Sequence, residues 1–449
     1  MLTLLRGMVA FTRYDSQENI MFCARDRLGE KPFVYAETTL GFAFASEIPA
    51  LCVMPDIDIN FDHAALASMM LHNMRHVPDP YTAYQGIRRL KSGHALIVRD
   101  GRIKRIWRYW DPKPTTKKVT SKRLRGLLEE AVLLQLQSDV PVGALLSGGV
   151  DSSAIVALMK KHTVAPVRTY ALGRDEDDED LQRARVMATH LGTEHREFYF
   201  DPDENWLIFN NLLANYGEPI MLLPLVHTYA LCQAIRNDDV KVILSGNGAD
   251  ELFYGYTGHL RTLRISRWLD RTALLRPLLS PLLPNSLRWI TAPKGKRKSN
   301  YYVGLAQSEW KRYLMPAVRP KLANRAAEEM AYWGQMSSSP KFIDESNFVG
   351  LMVENTHSVT TASDLSAMAA SIEVRAPFLD QEIVSFAMAT GVEHKIPNPK
   401  NPNWLNKHIE LIPWIIAGIL ITAAAHGIIY WPYNTGETHI FLHIPKTGG

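Results

Sequence analysis

Residues 145–153 read Leu-Leu-Ser-Gly-Gly-Val-Asp-Ser-Ser and constrain the fold more than any other stretch of this chain. They follow an apolar run that ends at Leu146 and lead into the helix-forming run 154–159. A strand, a glycine-rich turn and a helix start direct backbone N–H groups and the helix dipole to one point, where phosphate oxygens bind. Gly148 and Gly149 allow a close approach of the backbone, and the serines add hydroxyl donors. The sequence therefore predicts a pyrophosphate-binding loop, which is not a Walker loop because G-x-x-x-x-G-K-[ST] is absent.

Composition places the chain among ordinary globular proteins. It has 449 residues, of which 46% are hydrophobic and 21% are charged, enough for two or three domains with cores of their own. The net charge of +4 is small, and the one dense basic run, 294–298, is typical of a solvated loop, so we expect no nucleic acid partner. The three cysteines form no C-x-x-C pair, which indicates neither a disulfide framework nor a zinc site and favours the cytoplasm.

The spacing of apolar runs predicts two domains of different class. Residues 1–110 hold short alternating runs separated by turns such as Asp100-Gly101, which indicates a mostly β domain. Residues 111–120 are polar, contain two prolines and are typical of a linker. From 121 to 397 helical patterns alternate with strands, which predicts an α/β fold with a parallel sheet and a ligand site at the carboxyl ends of its strands. The expected elements are strands at 140–146, 167–172 and 241–245, a helix over 122–138 capped by Ser121, and a helical extension over 260–345.

A second glycine-rich loop follows the strand 241–245. Ser245-Gly246-Asn247-Gly248 leads to Asp250 and Glu251, where a carboxylate could hold a Mg²⁺ ion that bridges phosphates. Alone, the two acids could equally mark a helix start whose charges suit the helix dipole. Because both loops follow strands of one predicted sheet, a shared nucleotide site is favoured.

A third cluster, 369–380, carries no obvious physical motif, and from the residues alone Glu373 and Arg375 are interpreted as a structural ion pair. Together with the two loops, it resembles the ATP pyrophosphatase (PP-loop) family and, within it, the glutamine-hydrolysing asparagine synthetases. The motifs that carry the resemblance are Ser138–Gly143, Leu191–His195, Ser245–Glu251 and Glu373–Asp380 in the synthetase part, with Ala24–Pro32 and Phe44–Ile48 in a partial glutaminase domain of the Ntn type. The resemblance runs from about residue 5 to about residue 397.

The resemblance implies an enzyme that makes asparagine from ATP, aspartate and ammonia or glutamine. The aspartate side-chain carboxylate would attack the α-phosphorus of ATP and give β-aspartyl-AMP and pyrophosphate, and ammonia would then displace AMP. Catalysis would depend on positioning and on neutralising phosphate charge. By the same resemblance, the adenine would lie near Leu145, Leu146 and Leu172, and Ser245 and Gly246 would contact the ribose and phosphate. The pyrophosphate would bind Ser147, Gly148, Gly149, Val150, Ser152 and Ser153. Mg²⁺ would bind Asp151 and Asp250, and the catalytic residues would be Asp151, Asp250, Glu251 and Asn247.

The first part of the chain departs from the family that it resembles. The family's glutaminase nucleophile is a cysteine directly after the initiator methionine, whereas this chain begins Met1-Leu2. Cys23 lies inside a strand-like run and is interpreted as a small buried residue. We therefore expect an N-terminally truncated glutaminase domain with an incomplete glutamine pocket, an inactive glutaminase half, and free ammonia as the usable nitrogen source.

The second loop also departs from the family. Asn247 stands where the family usually has an acidic residue, and an amide cannot act as a carboxylate base. If that carboxylate helps to deprotonate ammonia, adenylation survives in this chain while amidation is in doubt. Tyr254 stands where the family favours glycine and is expected to crowd the substrate side.

The tail, 398–449, does not resemble the synthetases, and the family's usual basic helix, which contributes a lysine to the pyrophosphate site, is not found there. Residues 411–431 contain no Asp, Glu, Lys or Arg and are long enough for a bilayer, which favours a membrane span that tethers a cytoplasmic synthetase over a buried core helix. Residues 438–449 resemble the first strand and phosphosulfate loop of a sulfotransferase. The simplest interpretation is a truncated or fused gene product.

Two kinds of function remain open from the sequence. The first is an ATP-dependent ligase that forms asparagine or amidates a different carboxylate. The second is a degenerate homologue that binds nucleotide without ligase activity, which Asn247 and the missing cysteine favour. The oligomeric state is also left open, with a homodimer as one expectation.

Overall fold

The fold is described from a computed structural model over residues 2–71, 74–220, 223–272, 289–293, 295–298, 325–337, 339 and 341–396. The chain divides into two units, Met1–Thr390 and Gly391–Gly449. The described part of the second unit contains one short helix, Val392–Lys395. The predicted membrane span 411–431 and the sulfotransferase-like residues 438–449 lie outside the described residues. Within the described ranges, no helix combines the length and the apolar character that crossing a bilayer requires.

Two antiparallel sheets form the N-terminal part of the first unit. Its elements are β1 (Ala10–Asp15), β2 (Ile20–Arg25), β3 (Val34–Thr38), β4 (Gly41–Ala45), α1 (Ile48–Cys52), α2 (His63–Leu71), β5 (Arg88–Arg89), β6 (His94–Arg99) and β7 (Arg102–Arg108). The sheets have the strand orders β1-β2-β6-β7 and β4-β3-β5. Asp100 and Gly101 connect β6 to β7 as a two-residue turn with φ of 53° and 67°, the left-handed geometry typical of tight hairpins. The predicted mostly β character of residues 1–110 is confirmed.

Helices and strands alternate in the next part of the unit. Its elements are α3 (Ser121–Gln135), β8 (Val142–Leu145), α4 (Val150–His162), β9 (Arg168–Gly173), α5 (Glu179–Leu191), β10 (Glu194–Tyr199), α6 (Pro202–Tyr216), α7 (Leu223–Arg236), β11 (Val242–Leu244), α8 (Ala249–Phe253) and α9 (Thr257–Arg271). The predicted strands at 140–146, 167–172 and 241–245 correspond to β8, β9 and β11.

The remaining described elements are mainly helical. They are α10 (Arg325–Met336), α11 (Phe342–Val349), a π-helical segment (Gly350–Thr361), α12 (Ala362–Ala369), β12 (Glu373–Arg375), a 3₁₀ turn (Pro377–Leu379) and α13 (Gln381–Ala389). The segment Gly350–Thr361 connects α11 directly to α12, so one long helix with π geometry in its middle leads to β12. The predicted helical extension over 260–345 holds for its described parts, which lie mostly in α9, α10 and α11.

The five-stranded sheet is parallel throughout and has the order β10-β9-β8-β11-β12. Strands β9 and β10 follow on one side of β8, and strands β11 and β12 follow on its other side. The order therefore reverses between β8 and β11. In a sheet of this type, a ligand binds at the carboxyl ends of the strands on either side of that reversal. The predicted parallel α/β fold is confirmed.

Both faces of the central strands β8 and β11 are buried or half-buried, which explains why these two strands are apolar without alternation, whereas the edge strand β10 carries charged and exposed residues. Ala144, Ala171 and Leu244 pack into one apolar cluster. Their neighbours Leu145 and Tyr170 pack into a second cluster on the opposite face, because successive side chains of a strand point to opposite sides.

Helix α3 begins one residue earlier than predicted. Thr120, not Ser121, is the N-cap, and its side chain accepts a hydrogen bond from Arg123 N at 3.2 Å. Thr120 has the extended backbone that a cap needs, whereas Ser121 is already helical. The helix ends at Gln135, short of the predicted residue 138.

Arg375 holds the carboxyl end of α3. It donates to the carbonyl oxygens of Gln135 and Gln137 at 2.6 and 2.9 Å, which satisfies acceptors that a helix end leaves free. Its Nε also donates to Glu373 Oε1 at 2.9 Å. The predicted structural ion pair of Glu373 and Arg375 is confirmed, and the arginine has the additional role of joining β12 to α3.

The N-terminal part and the α/β part of this unit are joined by ion pairs and by residues 111–120. Thr115 N donates to Ser385 O at 2.9 Å, so the connecting segment is attached to α13. Arg6 pairs with Asp380 at 2.7 Å, and Arg325 pairs with Asp62. The domain boundaries proposed from the sequence stay predictions.

Candidate functional site

The candidate site lies where β8 and β11 end side by side. The two strands pair in parallel with Ala144 opposite Leu244, so their carboxyl ends meet at one edge of the sheet. The loop 146–149 follows β8, and the loop 245–248 follows β11. Both predicted glycine-rich loops therefore lie at the strand-order reversal, where a parallel sheet leaves a crevice for a ligand.

The first loop is held by its own serines. Ser147 N donates to Ser152 Oγ at 3.3 Å, and the two hydroxyl oxygens lie 3.1 Å apart. Gly149 is the N-cap of α4, which begins at Val150, and its N–H faces Ser147 Oγ at 3.4 Å. The first N–H groups of a thirteen-residue helix thus follow directly on the end of β8. This is the arrangement in which a helix N-terminus binds a phosphate.

Ser153 supplies a polar atom that has no partner within the described part of the chain. Its hydroxyl oxygen is buried in the first turn of α4 without a hydrogen-bond partner there. A buried hydroxyl left in this way costs about 1–3 kcal/mol. An oxygen of a bound phosphate would remove that cost, so the orphaned hydroxyl fits the predicted ligand.

Gly148 packs the first loop against α5. Its φ is +72°, and a Cβ atom at this position would lie 2.4 Å from the carbonyl carbon of Arg183 and 2.5 Å from Ala184 N. Both neighbours are backbone atoms, which cannot rotate away. Glycine is therefore required for the conformation of the loop and also for its contact with α5.

The second loop is held between β12 and the 3₁₀ turn Pro377–Leu379. Ser245 N donates to Arg375 O at 2.8 Å, which continues the pairing of β11 with β12. Gly248 has φ of +91°, and a Cβ there would lie 2.3 Å from Leu379 Cδ2. Helix α8 follows at Ala249, so Asp250 lies in its first turn.

Gly246 brings the two loops together. A Cβ atom on Gly246 would lie 3.0 Å from Ser152 N and 3.1 Å from Asp151 Cβ. The backbone of the second loop is thus in contact with the first turn of α4. The structure brings the two predicted loops into one site, although Ser147 and Gly246 are 99 residues apart in the chain.

Three carboxylates concentrate negative charge in this site. Burial, with the charges of Asp151 and Glu251, raises the pKa of Asp250 to about 6. Burial also raises the pKa of Asp151. Glu251 is buried, which raises its pKa although Tyr256 donates a hydrogen bond of 2.6 Å to its carboxylate. Such a group of carboxylates favours a bound cation.

Asp151 and Asp250 fit the role predicted for Mg²⁺ ligands. Their carboxylates are close enough for the charge of Asp151 to raise the pKa of Asp250. Mg²⁺ is usually held by one or two protein carboxylates, with substrate phosphates and water supplying the other oxygens. Within the described ranges, no group of three or more His, Cys, Asp or Glu side chains is arranged to hold a metal ion. Two carboxylates suit a cation whose remaining ligands are phosphate oxygens of a nucleotide and water.

The three predicted adenine-binding leucines do not share one face of the sheet. Leu145 and Leu172 are partly buried and pack against the same apolar cluster. Leu146 is fully buried in the cluster of the opposite face, and its N–H donates to Tyr170 O at 2.9 Å. The side chains of Leu145 and Leu172 can line a ligand together, whereas the side chain of Leu146 belongs to the core. Val150, at the start of α4, is exposed.

Asn247 and Tyr254, the two departures in the second loop, both have partners. Asn247 Nδ2 donates to Ser363 Oγ at 3.0 Å, so α12 orients this amide. Tyr254 is buried and donates to Asp344 Oδ1 at 3.1 Å. It ends α8 with φ of +65°, a conformation that favours glycine. The backbone of Tyr254 is therefore strained, while its side chain is buried and hydrogen-bonded to Asp344.

Sequence reasoning missed Ser363 and Tyr256 as neighbours of the site. Ser363 lies 116 residues after Asn247, and no spacing rule connects them. Tyr256 is five residues after Glu251 and is the N-cap of α9, beyond the end of a short helix whose extent the sequence did not indicate.

None of the three cysteines is suited to be a nucleophile. Cys23 is fully buried in the middle of β2, and burial raises the pKa of its thiol to about 11. Cys232 is fully buried as well, with a pKa raised to about 12, and burial also raises the pKa of Cys52. A thiol reacts as the thiolate, and burial disfavours the thiolate form at all three positions. The interpretation of Cys23 as a small buried residue is confirmed.

The chain matches two family models. Residues 123–410 match the model described as asparagine synthase, and residues 1–110 match the glutamine amidotransferase domain. The first match covers more than half of the chain and contains both glycine-rich loops, β12 and α13.

Curated relatives align with most of the chain. A putative asparagine synthetase [glutamine-hydrolyzing] of Mycobacterium tuberculosis (strain ATCC 25618 / H37Rv) is 30% identical over 431 residues, which cover 91% of this chain and 65% of the relative. Asparagine synthetase [glutamine-hydrolyzing] 3 of Bacillus subtilis (strain 168) is 28% identical over 432 residues, covering 90% and 65%. The chain thus spans about two thirds of the length of these relatives. Among solved structures, the NH3-dependent NAD synthetase of Campylobacter jejuni subsp. jejuni NCTC 11168 aligns with 46% of this chain and 93% of its own, at 12% identity and a TM-score of 0.24.

Proposed function

This chain belongs to the asparagine synthase family, and we propose that it makes asparagine in two steps that depend on ATP. In the first, the side-chain carboxylate of aspartate attacks the α-phosphorus of ATP, and pyrophosphate leaves. In the second, ammonia attacks the carbonyl of β-aspartyl-AMP, loses a proton and displaces AMP. The physical reason for two steps is that AMP is a far better leaving group than the oxide of a free carboxylate.

The contact of Gly246 with the first turn of α4 supports this proposal most strongly. It brings together a helix N-terminus, a buried hydroxyl without a described partner, and two carboxylates of which one raises the pKa of the other. A helix N-terminus suits the pyrophosphate, and the carboxylates suit its counter-ion. Each half alone would be an ordinary loop, and together they provide what cleavage between the α- and β-phosphates needs.

The proposed roles follow from the positions of the side chains. Ser147, Gly149, Ser152 and Ser153 would bind the leaving pyrophosphate, and Asp151 and Asp250 would hold Mg²⁺. When bound, the ion supplies charge neutralisation for the transferring phosphates. Leu145 and Leu172 would line the adenine, while Ser245 and Gly246 would lie near the ribose and the α-phosphate.

The proton from ammonia needs an acceptor, and Asn247 cannot supply one. Glu251 is buried in the first turn of α8, directly after the second loop, and its carboxylate accepts a hydrogen bond from Tyr256, which fixes it. Its raised pKa brings it closer to neutral pH, where a general base works best. We assign the proton transfer to Glu251 and an orienting role to Asn247.

A pyrophosphate assay with ammonium or glutamine tests this function. With ATP, Mg²⁺ and aspartate, we expect pyrophosphate release, and we expect asparagine when ammonium is added. We expect glutamine not to replace ammonium in the 449-residue polypeptide, because its three thiols are buried or half-buried and their pKa values are raised. Glutamate formed from glutamine would contradict the second expectation. No pyrophosphate with any carboxylate would contradict the proposed function itself.

The runner-up function is a nucleotide-binding homologue without ligase activity. Asn247 favours it, because the position lacks the carboxylate that the family usually has there. ATP binding without pyrophosphate release would identify this case. Pyrophosphate released with a carboxylate other than aspartate would instead identify a ligase of different specificity.

Asn247→Asp should raise the yield of asparagine per pyrophosphate released. The new carboxylate has nearly the shape of the amide and adds a second proton acceptor to the one that Glu251 provides, so the amidation step should accelerate by about tenfold. The ratio of asparagine to pyrophosphate is measured at saturating ammonium. Asn247→Ala is the control, since it removes the hydrogen bond to Ser363 without adding a base. Equal ratios in the two variants would show that a base at this position does not limit amidation.

A further inference from the structure

We propose that Lys31, in the N-terminal part of the chain, is a positioning residue for the second glycine-rich loop of the synthetase site. The connection runs from Lys31 to Asp364, through the adjacent Ser363, to Asn247. The N-terminal part would then serve the synthetase reaction without any glutaminase chemistry. The activity readout of this proposal depends on the proposed function, while its structural readout does not.

The backbone that carries Lys31 is held from both sides. The carboxylate of Asp26 accepts hydrogen bonds from the N–H groups of Leu28, Glu30 and Lys31 at 3.2, 2.8 and 2.9 Å. The guanidinium of Arg25 donates to the carbonyl oxygens of Gly29 and Lys31 at 2.8 and 2.7 Å. Both Arg25 and Asp26 are almost fully buried. A loop fixed by five hydrogen bonds from two buried charges cannot move freely, so it can hold a side chain in place.

Lys31 uses this fixed loop to reach the α/β part. Its Nζ lies 2.5 Å from Asp364 Oδ1, in the first turn of α12. The side chain of Asp364 is 9% exposed and that of Lys31 is 21% exposed, so the pair is largely shielded from water. Burial raises the pKa of Asp364, and Lys31 opposes that shift. Removing Lys31 leaves the buried Asp364 without its direct ion-pair partner, which destabilises the position of this carboxylate.

Ser363 transmits the position of α12 to the site. It precedes Asp364 in the same helical turn and accepts the hydrogen bond from Asn247 Nδ2 at 3.0 Å. One turn further, Ser366 Oγ donates to Leu225 O at 2.8 Å, which fixes α12 against α7. A change at Asp364 therefore changes the end of α12 that contacts the second loop.

A second ion pair between the same two parts provides a matched control. Arg325 pairs with Asp62 and also lies over the ring of Tyr81 at 3.9 Å. It joins α10 to the N-terminal part, and none of its described contacts reaches α12 or the second loop. Loss of the Arg325–Asp62 pair should weaken the contact between the N-terminal part and the α/β part about as much as loss of the Lys31–Asp364 pair, without disturbing Asn247.

The experiment is hydrogen–deuterium exchange of the full chain, with Lys31→Met, Lys31→Arg, Ser363→Ala and Arg325→Met. In Lys31→Met we expect the backbone amides of residues 245–250 to exchange roughly tenfold faster than in the unaltered protein. Lys31→Arg keeps the charge and should restore slow exchange. Ser363→Ala removes the last link, so it should raise exchange in 245–250 and leave residues 26–31 unchanged. Arg325→Met should leave residues 245–250 unchanged.

The activity readout separates positioning from general destabilisation. In Lys31→Met we expect the ratio of asparagine to pyrophosphate to fall by roughly tenfold, with the KM for ATP unchanged. A protein that is merely less stable would lose both products equally. Exchange in 245–250 that is the same in Lys31→Met and Arg325→Met would overturn the proposal. If the unaltered protein releases no pyrophosphate, the proposed function fails, and the exchange data still decide the role of Lys31.

Discussion

Replacing Asp151 with asparagine should reduce pyrophosphate release by at least about a hundredfold. Asparagine has the same shape but no negative charge, and the proposed magnesium site depends on the paired charges of Asp151 and Asp250. The loss should appear at saturating ATP, because the missing interaction stabilises the charge of the transferring phosphates. Pyrophosphate release with aspartate and Mg²⁺ measures the effect directly.

The same variant should not lose stability. Burial raises the pKa of Asp151, and its charge contributes to the raised pKa of Asp250, so the ionised pair is unfavourable without a cation. Asp151→Asn removes this repulsion, and we expect the free energy of unfolding to stay equal or rise slightly in urea titrations. Asp239→Asn is the control, because Asp239 precedes β11 at the opposite edge of the sheet and is exposed. If Asp151→Asn releases pyrophosphate as fast as the unaltered protein, the assignment of Asp151 to the site is wrong.

The parallel sheet and the position of the site could be predicted from the sequence because their signals are local. The three predicted strands, 140–146, 167–172 and 241–245, are short apolar runs, and each glycine-rich loop follows one of them directly, whereas the edge strands β10 and β12 are rich in charged residues and were not predicted. The carboxyl ends of parallel strands share one edge, so loops after β8 and β11 had to lie at the same edge. The turn at Asp100-Gly101 was predictable for the same reason, since its two left-handed residues form a hairpin by themselves.

The sequence did not reveal the contacts that cross the chain. Ser363 reaches Asn247, and Lys31 reaches Asp364 over 333 residues, through pairings that depend on how the N-terminal part packs on α12. No periodicity encodes such a pair. The error at the start of α3 has a different origin, because Thr120 and Ser121 are both good caps and the backbone conformation decides between them.

Arg375 makes one contact that the sequence predicted and two that it did not. Its ion pair with Glu373 was predictable because the two residues are separated by one position on a strand and lie on the same side. Its bonds to the carbonyl oxygens at the end of α3 were not predictable, because that helix lies more than 200 residues earlier. The arginine therefore links the strand beside the second loop to the helix that precedes the first.

Gly148→Ala should destabilise the protein by about 3 kcal/mol and abolish pyrophosphate release. Two costs add at this position. Holding alanine at a φ of +72° costs about 1–2 kcal/mol. The Cβ would also lie 2.4 Å from the backbone of Arg183, and relieving such overpacking costs a further 1–3 kcal/mol. Because the loop must move away from α5, its N–H groups would no longer face the phosphate, and urea unfolding together with the pyrophosphate assay measures both effects.

Gly192→Ala separates the two costs of the Gly148 change. Gly192 ends α5 with φ of +63°, and a Cβ there would meet nothing within 4 Å. Its replacement should therefore cost only the backbone strain of about 1–2 kcal/mol, with pyrophosphate release intact. The difference between the two variants gives the free energy of the contact between the first loop and α5. Equal destabilisation would mean that the loop tolerates a Cβ against Arg183, and the loop would then be less rigid than an anion-binding site of this kind requires.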